Sequence, residues 1–450
     1  MNGCRCALVT PAALAICFTL AAAPSSAVAN GRYPAGGQLV IDPADVGHLV
    51  VRTTFGLLQT FDAGAHWTWI CERAVSPDGF LDPEILAMSG GRTAVALLDG
   101  LAIGDRGGCQ WTRASGLAND DVIDLVGLRA DPATAYAVAA VRVNGAFQTL
   151  VSKTTDGAVW SPAGDLLADA YPLTIEIAPS RPQRLYLGAQ DANLEAAFIQ
   201  VSDDRGVHWV RHPCPGGDAV YVSAVDPADP DRVYVRSFSP EPSLYVSEDG
   251  AATWRLIHAS LVPLTAFALS PDGRRIAVGG ADGLTVIERT EGDGGSAFVV
   301  TASHPLPVTC LTWSVDAALF ACADDQLAGF TVGVSTDAGG RFVPLLRLAD
   351  LAPATCAAPT AGAACAGDWC PTATAIGASC AATVDAATGG DGAAGHPEAG
   401  RSATTSRTGC ACRTGDGLID EPWPGMHSIA VVALVLVAAR RGGRSQPRAS

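Results

Sequence analysis

The sequence predicts an all-β protein: a seven-bladed β-propeller with four-stranded blades, followed by a Cys-containing low-complexity tail and a short hydrophobic C-terminal segment. Three observations predict it. A glycine-then-aromatic corner recurs seven times, and its final aromatics (Trp67, Trp111, Trp160, Trp209, Trp254, Phe298 and Phe342) are spaced 44, 49, 49, 45, 44 and 44 residues apart. Short apolar runs separated by turn residues precede every corner, enough for four strands in each repeat. The 450 residues are 48% apolar but only 6% aromatic, with 49 Gly and 29 Pro, a composition of many short strands and tight turns.

The corners share a pattern. Thr60–Trp67 and Ser202–Trp209 both read S/T-x-D-x-G-x-x-W. Ser335–Phe342 has Phe for Trp, Ser247–Trp254 has Ala251 where Gly is expected, and Glu291–Phe298 lacks only the Ser or Thr. Thr155–Trp160 and Asp105–Trp111 keep Gly three residues before Trp, with the Asp displaced by one. Asp and Ser/Thr side chains accept hydrogen bonds from turn N–H groups that a sheet leaves unpaired. Gly takes the positive-φ position that a Cβ would penalise, and the aromatic enters the next strand and buries a large apolar face. Strands are expected at His48–Val51 and Gly56–Gln59, at Arg184–Leu187 and Ala197–Val201, and at Arg232–Val235 and Ser243–Val246. Each set follows an earlier strand ending in a Pro turn, as at Asp42-Pro43 and Asp226-Pro227. A stacked solenoid is the alternative, but it wants atypical capping repeats, and none is seen.

These residues resemble the Asp-box, or BNR, repeat superfamily, which includes sialidases, sortilin-type receptors, xyloglucan hydrolases and photosystem II assembly factors. The resemblance covers about residues 37–352, the expected propeller. It implies that the boxes sit on turns away from the ligand face. Asp62, Gly64, Trp67, Asp204, Gly206, Trp209, Asp249, Trp254, Asp293, Gly295, Phe298, Asp337, Gly339 and Phe342 are therefore read as structural; fold alone does not fix function. His66 and His208, inside the boxes, are read as turn residues.

Residues 1–29 read as a signal peptide: Arg5, an apolar stretch from Ala7 to Ala23, and Ala27-Val28-Ala29, the small-x-small rule for cleavage after Ala29. An N-terminal transmembrane anchor is the alternative. The bulky Ile16 before Cys17 argues against a lipoprotein signal. Export makes disulfides permissible for the Cys beyond the leader. Cys310 and Cys322 flank an expected hairpin and form one candidate pair; Cys71 and Cys109 form another, leaving Cys214 over. In segment 353–380, Cys356, Cys365, Cys370 and Cys380 lack paired C-x-x-C spacing, so two local disulfides are preferred to zinc.

Residues 381–409 read as a flexible spacer. Residues 410–450 hold Cys410-Ala411-Cys412-Arg413, an apolar run from Ile429 to Ala439, and Arg440, Arg441, Arg444 and Arg448. That run is too short for a stable span, which needs ~20 residues. The arrangement resembles the MYXO-CTERM sorting signal. The resemblance implies processing near Cys410, lipid attachment, and display at the cell surface or outer membrane of a Gram-negative, myxobacterium-like cell. A Cys410–Cys412 disulfide, or an uncleaved weak anchor, is the alternative.

The net charge of −16 makes nucleic acid an unfavourable partner. No phosphate loop, zinc-protease helix or nucleophile elbow appears. Sialidase-like activity would need three Arg, a Tyr nucleophile and a paired Glu; the Phe/Tyr-Arg-Ile-Pro segment of family sialidases is missing, and Arg32-Tyr33-Pro34 is not that motif. Neither a cofactor nor a metal is expected. A ligand site is expected on the face opposite the boxes, at Gln190, Asp191, Asn193, Glu195, Asp282, Asp324 and Asp325; solvated loop tips are the plainer reading of the same residues. The functional expectation is a non-enzymatic cell-surface binding or scaffold protein whose partner is an extracellular protein or glycan, tethered to the membrane by its C-terminal tail or a lipid. The alternative is a glycoside hydrolase of sialidase-like or xyloglucanase-like type.

Overall fold

The computed structural model describes residues 33–380, apart from 78, 80, 81, 218, 239, 240, 293 and 294. The chain divides into two units, Met1–Val384 and Asp385–Ser450. The expected leader with Ala29, the spacer 381–409 and the tail with Cys410 lie outside the described residues.

Seven antiparallel sheets follow one another along the chain. Blade 1 is β1 (Gly36–Asp42), β2 (Asp45–Thr53), β3 (Gly56–Thr60) and β4 (Thr68–Ile70). Blade 2 is β5 (Ile85–Met88), β6 (Arg92–Leu97), β7 (Gly100–Gly104) and β8 (Trp111–Arg113). Blade 3 is β9 (Asp121–Gly127), β10 (Ala135–Val143) and β11 (Ala146–Thr154), its outer strand split into β12 (Ser161–Pro162) and β13 (Leu167–Ala168). Blade 4 is β14 (Tyr171–Ile177), β15 (Leu185–Gln190), β16 (Ala197–Ser202) and β17 (Val210–Pro213). Blade 5 is β18 (Val220–Val225), β19 (Val233–Ser237), β20 (Ser243–Ser247) and β21 (Arg255–Ala259). Blade 6 is β22 (Ala266–Leu269), β23 (Arg275–Gly280), β24 (Gly283–Gly292) and β25 (Gly295–His304). Blade 7 is β26 (Cys310–Trp313), β27 (Leu319–Cys322), β28 (Val332–Ser335) and β29 (Val343–Leu346). Each first strand lies beside the first strand of the next blade, and β26 lies beside β1, so the ring closes. This is the seven-bladed propeller that the repeat spacing predicts.

Second strands are buried on both faces because neighbouring blades cover both sides. They therefore read as near-continuous apolar runs, such as Leu49-Val50-Val51 and Ala137-Val138-Ala139. Four first strands carry a register shift, passing over Gly37, Ile123, Leu173 and Ser223. A bulge re-aims the side chain beside it, and in three blades that side chain bonds the next blade. Gln38 accepts from Ile85 N–H at 2.8 Å and donates to Ile85 O at 3.2 Å. Asp124 Oδ2 accepts from Ile175 N–H at 2.7 Å, and Thr174 Oγ1 from Val222 N–H at 2.8 Å.

The corner motif builds the turn from third to fourth strand. In blade 1, Thr60 Oγ1 donates to Asp62 Oδ1 at 2.7 Å and accepts from Gly64 N–H at 3.1 Å, while Asp62 Oδ1 accepts from His66 N–H at 2.9 Å. Ser202–Asp204, Ser247–Asp249 and Ser335–Asp337 repeat the arrangement at 2.9, 2.8 and 2.7 Å. In blades 2 and 3 the displaced Asp105 and Asp156 still accept from turn N–H groups. Two consecutive residues take positive φ in the four full motifs; in blade 5 the order is exchanged, with Gly250 at 71° and Ala251 at 76°. The Gly also lets the turn meet the preceding blade. A Cβ on Gly108 would stand 2.1 Å from Ile70 of blade 1, and one on Gly157 would stand 2.5 Å from Met88 of blade 2.

Three expectations need correction. Glu291–Phe298 does not make the motif's turn: β24 and β25 form one long hairpin in which Gly292 pairs Gly295 and Phe298 pairs Arg289, well inside the ladder. Without a Ser or Thr there is no hydroxyl to organise the corner; Asp293 lies outside the described residues. Cys71 and Cys109 do not pair: Cys71 bonds Cys365 and Cys109 bonds Cys356. Residues 353–380 hold only one local disulfide, Cys370–Cys380, because the segment folds back onto blades 1 and 2 rather than on itself. There it adds β30 (Ala352–Pro353) parallel to β4 and forms a helix at Cys365–Ile376. Cys310 and Cys322 pair directly across β26 and β27, and Cys214 is free.

Candidate functional site

In an up-and-down blade, the turns between second and third strands lie on the face opposite the motif turns. The predicted ligand residues all fall there, on blades 4, 6 and 7. Most are engaged in shaping their own loops. Asp191 Oδ1 accepts from Asn193 N–H at 3.2 Å and Glu195 N–H at 2.9 Å, and Gln190 ends β15. Asp324 caps a short helix at Asp325–Ala328, accepting from Gln326 and Leu327 N–H at 2.8 and 3.0 Å. Asp325 accepts from Thr331 Oγ1 at 3.2 Å and Leu348 N–H at 3.3 Å. Asp282, exposed, accepts from Ser260 Oγ at 3.3 Å. Asp191, Asp324 and Asp325 accept from N–H or hydroxyl groups of their own loops, and Asp282 accepts from the connection that precedes its blade. Among the described residues, no group of three or more His, Cys, Asp or Glu is arranged to hold a metal ion.

A second set of charges gathers around the ring axis. Glu84 lies immediately before β5, in the connection from blade 1 to blade 2, on the same face as the predicted loops. Arg236 lies near the end of β19, and its guanidinium donates to Ser223 Oγ at 2.9 Å and Leu264 O at 2.7 Å. Blades 2 and 5 are three steps apart around the ring, yet Glu84 and Arg236 feel each other's charge, as do Glu84 and Arg52 of blade 1. Tyr221 stands edge-on to Phe238 at 5.0 Å and within electrostatic range of Arg236 and Glu84. Deeper on the first strands come Asp124 and Glu176.

Burial dominates the titration of this set. It raises Glu84, against the pull of Arg52 and Arg236. It raises Asp124 well above its ordinary value, reinforced by Glu84 and opposed by the Ile175 N–H. It pushes Glu176 up to about 8, opposed by the Ile177 N–H. It brings Arg236 down to about 10, opposed by Tyr221 and Glu84. Glu176 therefore keeps its proton at neutral pH and can donate, while Arg236 stays charged and can receive an anionic group. Perturbed groups gathered in one place mark functional sites more often than single surface charges do.

Sequence reasoning missed this set. The available signal was a charge interrupting an otherwise apolar strand, as in Val122-Ile123-Asp124-Leu125-Val126, Leu173-Thr174-Ile175-Glu176-Ile177 and Val233-Tyr234-Val235-Arg236.

No family model matches the chain, and none of the curated proteins does. Among solved structures it is similar to the GH74 enzyme of Niastella koreensis, with 15% identity over 71% of this chain and 66% of that one, at a TM-score of 0.39. It is similar to hydrazine synthase of Kuenenia stuttgartiensis, with 11% identity over 68% of this chain and 97% of that one, at 0.48. It is also similar to YCF48 bound to D1 peptide, with 13% identity over 49% of this chain and 68% of that one, at 0.33. The structures it is similar to include β-propellers. Likeness at this level carries no argument about activity, and the fold rests on the seven sheets themselves.

Proposed function

We propose that the chain is an exported binding or scaffold protein of the cell surface, presenting the face opposite its motif turns to an extracellular protein or glycan. The observation that carries the reading is covalent. Four disulfides form among the described residues, two of them closing separations of 294 and 247 residues. Such pairs persist in oxidising compartments and are rare where thiols are kept reduced. The motif turns support kinship with Asp-box repeats, and their polar groups are spent on their own backbone, leaving the opposite loops and the axial mouth to meet a ligand. Cleavage after Ala29 and modification at Cys410 belong to the same proposal. Mass spectrometry of protein recovered from cells should then find residue 30 at the N-terminus and no peptide from Arg440–Ser450.

A glycan array probed with the oxidised protein tests the binding reading, with binding expected to fall on changing Asp191, Asp282 or Arg236 to Ala. Unchanged binding in all three variants would refute the assignment of the face.

One observation favours a second reading, a glycoside hydrolase. Glu176, pushed up to about 8, is a carboxylic acid proton-loaded at neutral pH, as a general acid requires. Arg52, Arg236, Tyr221 and Glu84 on the same axis are residue types that sialidase-like chemistry uses. Hydrolysis of a chromogenic glycoside that disappears in Glu176→Gln, with the fold intact, would establish this reading over the first.

A further inference from the structure

Seven blades make seven seams. The chain runs directly from fourth strand to first strand across six of them, and the seventh, between blade 7 and blade 1, has no such link. Many rings could close here by sharing strands between the chain ends, but each sheet of this one takes its four principal strands from consecutive chain. The seam's direct contacts are modest: Thr309 Oγ1 donates to Gly36 O and Thr312 Oγ1 to Leu39 O, both at 2.6 Å, and Leu345 packs under Gly64.

What crosses the seam is the segment after β29. It leaves blade 7 through a turn at Leu348–Asp350 and adds β30 to the outer edge of β4 in blade 1. It then bonds Cys356 to Cys109 in the motif turn of blade 2, and Cys365 to Cys71 just after β4. Arg73 pairs with Asp368, and Trp369 stacks at a tilt on Trp69 with ring centres 5.5 Å apart. Leu346, Leu348, Leu351, Cys365 and Trp369 share one buried core with blades 1 and 2. One strap therefore ties blades 7, 1 and 2 together.

We propose that this strap is a redox-dependent latch on the seventh seam, and that its two long-range disulfides release it in order. Cys71 and Cys365 are 2% and 0% exposed, whereas Cys109 and Cys356 are half-buried. A dithiol reductant reaches the outer pair first. One of its thiolates attacks one sulfur of Cys109–Cys356 and forms a mixed disulfide; its second thiolate then closes the reductant's own ring. Two electrons and two protons pass to the protein, leaving two Cys thiols and one cyclic disulfide. Cys71–Cys365 follows only after the strap lifts. With both open, nothing covalent holds blade 7 to blade 1, and the outer edge of β4 loses its partner.

Hydrogen exchange read by mass spectrometry, on folded full-length protein before and after graded dithiothreitol, tests this. Thiol trapping should label Cys109 and Cys356 before Cys71 and Cys365. Once the second pair opens, amides of β1, β4 and β26–β29 should exchange about tenfold faster or more, with those of β14–β21 within about twofold of the oxidised protein. A Cys370→Ser/Cys380→Ser variant, which breaks only the local bond, should exchange like wild type at the seam, while a variant with Cys71, Cys109, Cys356 and Cys365 all changed to Ser, which opens both long-range bonds, should reproduce the reduced pattern. Equal acceleration in all seven blades, no acceleration at the seam, or labelling of Cys71 and Cys365 first would each overturn the latch.

Discussion

Gly64 of blade 1 sits directly over Leu345 of blade 7: a Cβ on Gly64 would stand 2.5 Å from Leu345 Cγ. The same glycine has φ +96°, so its missing side chain serves both the turn and the seam. Gly295 of blade 6 has a similar φ of +99° but nothing within 4 Å of its Cβ position.

The pair separates the two costs. Gly295→Ala should cost about 1 kcal/mol, the backbone strain alone. Gly64→Ala should cost roughly 2–4 kcal/mol, because overpacking adds to that strain. Leu345→Ala introduced beside Gly64→Ala should recover part of the loss. Urea unfolding of the three variants measures this, and equal costs for Gly64→Ala and Gly295→Ala would show that the seam does not press on the turn.

Glu176 sets a pH dependence of stability. Its folded value is about 8, against an ordinary 4.5. Below the ordinary value both states hold the proton and the group is neutral in its effect. Between the two values the unfolded chain releases the proton and the folded one keeps it, so stability falls as pH rises; above the folded value the loss is complete. Glu176→Gln removes this slope. Its thermal midpoint should approach or exceed that of wild type by several degrees near pH ~8.5 relative to the comparison near pH ~4.5. Parallel curves for the two proteins would count against a half-buried Glu176 that holds its proton.

Asp124 is the hinge between the axial charges and the fold. Its carboxylate accepts from Ile175 N–H at 2.7 Å and Leu125 N–H at 2.8 Å. Asp124→Ala leaves both donors without this partner and should cost about 1–3 kcal/mol. Asp124→Asn keeps an acceptor toward blade 4 and should cost less. Chemical denaturation of both checks the order; a costlier Asn variant would show that charge, rather than hydrogen bonding, holds the position.

The ring was legible in the sequence because one physical requirement recurs at a fixed interval: a tight turn with satisfied N–H groups, then an aromatic to bury. Where that chemistry thins, the reading thins too. Glu291–Phe298 kept the Gly and the aromatic but lacked the hydroxyl, and the hairpin runs straight through. The pairing of Cys310 with Cys322 was readable because a hairpin lies between them; Cys365 and Cys71 were not, since separation along the chain says nothing about which blade a strap crosses. The axial set escaped for a similar reason. Asp124, Glu176 and Arg236 lie in three different blades, and it is the fold that puts Asp124 in range of Glu84 and Glu176, and Arg236 in range of Glu84.

The measurement that bears most directly on the whole account is peptide mass spectrometry of the native protein digested without reduction. It should recover Cys71 linked to Cys365, Cys109 to Cys356, Cys310 to Cys322 and Cys370 to Cys380, with Cys214 a free thiol. Recovery of Cys71 with Cys109, of Cys356 with Cys365, or of all these cysteines as thiols would contradict both the strapped ring and its life in an oxidising compartment.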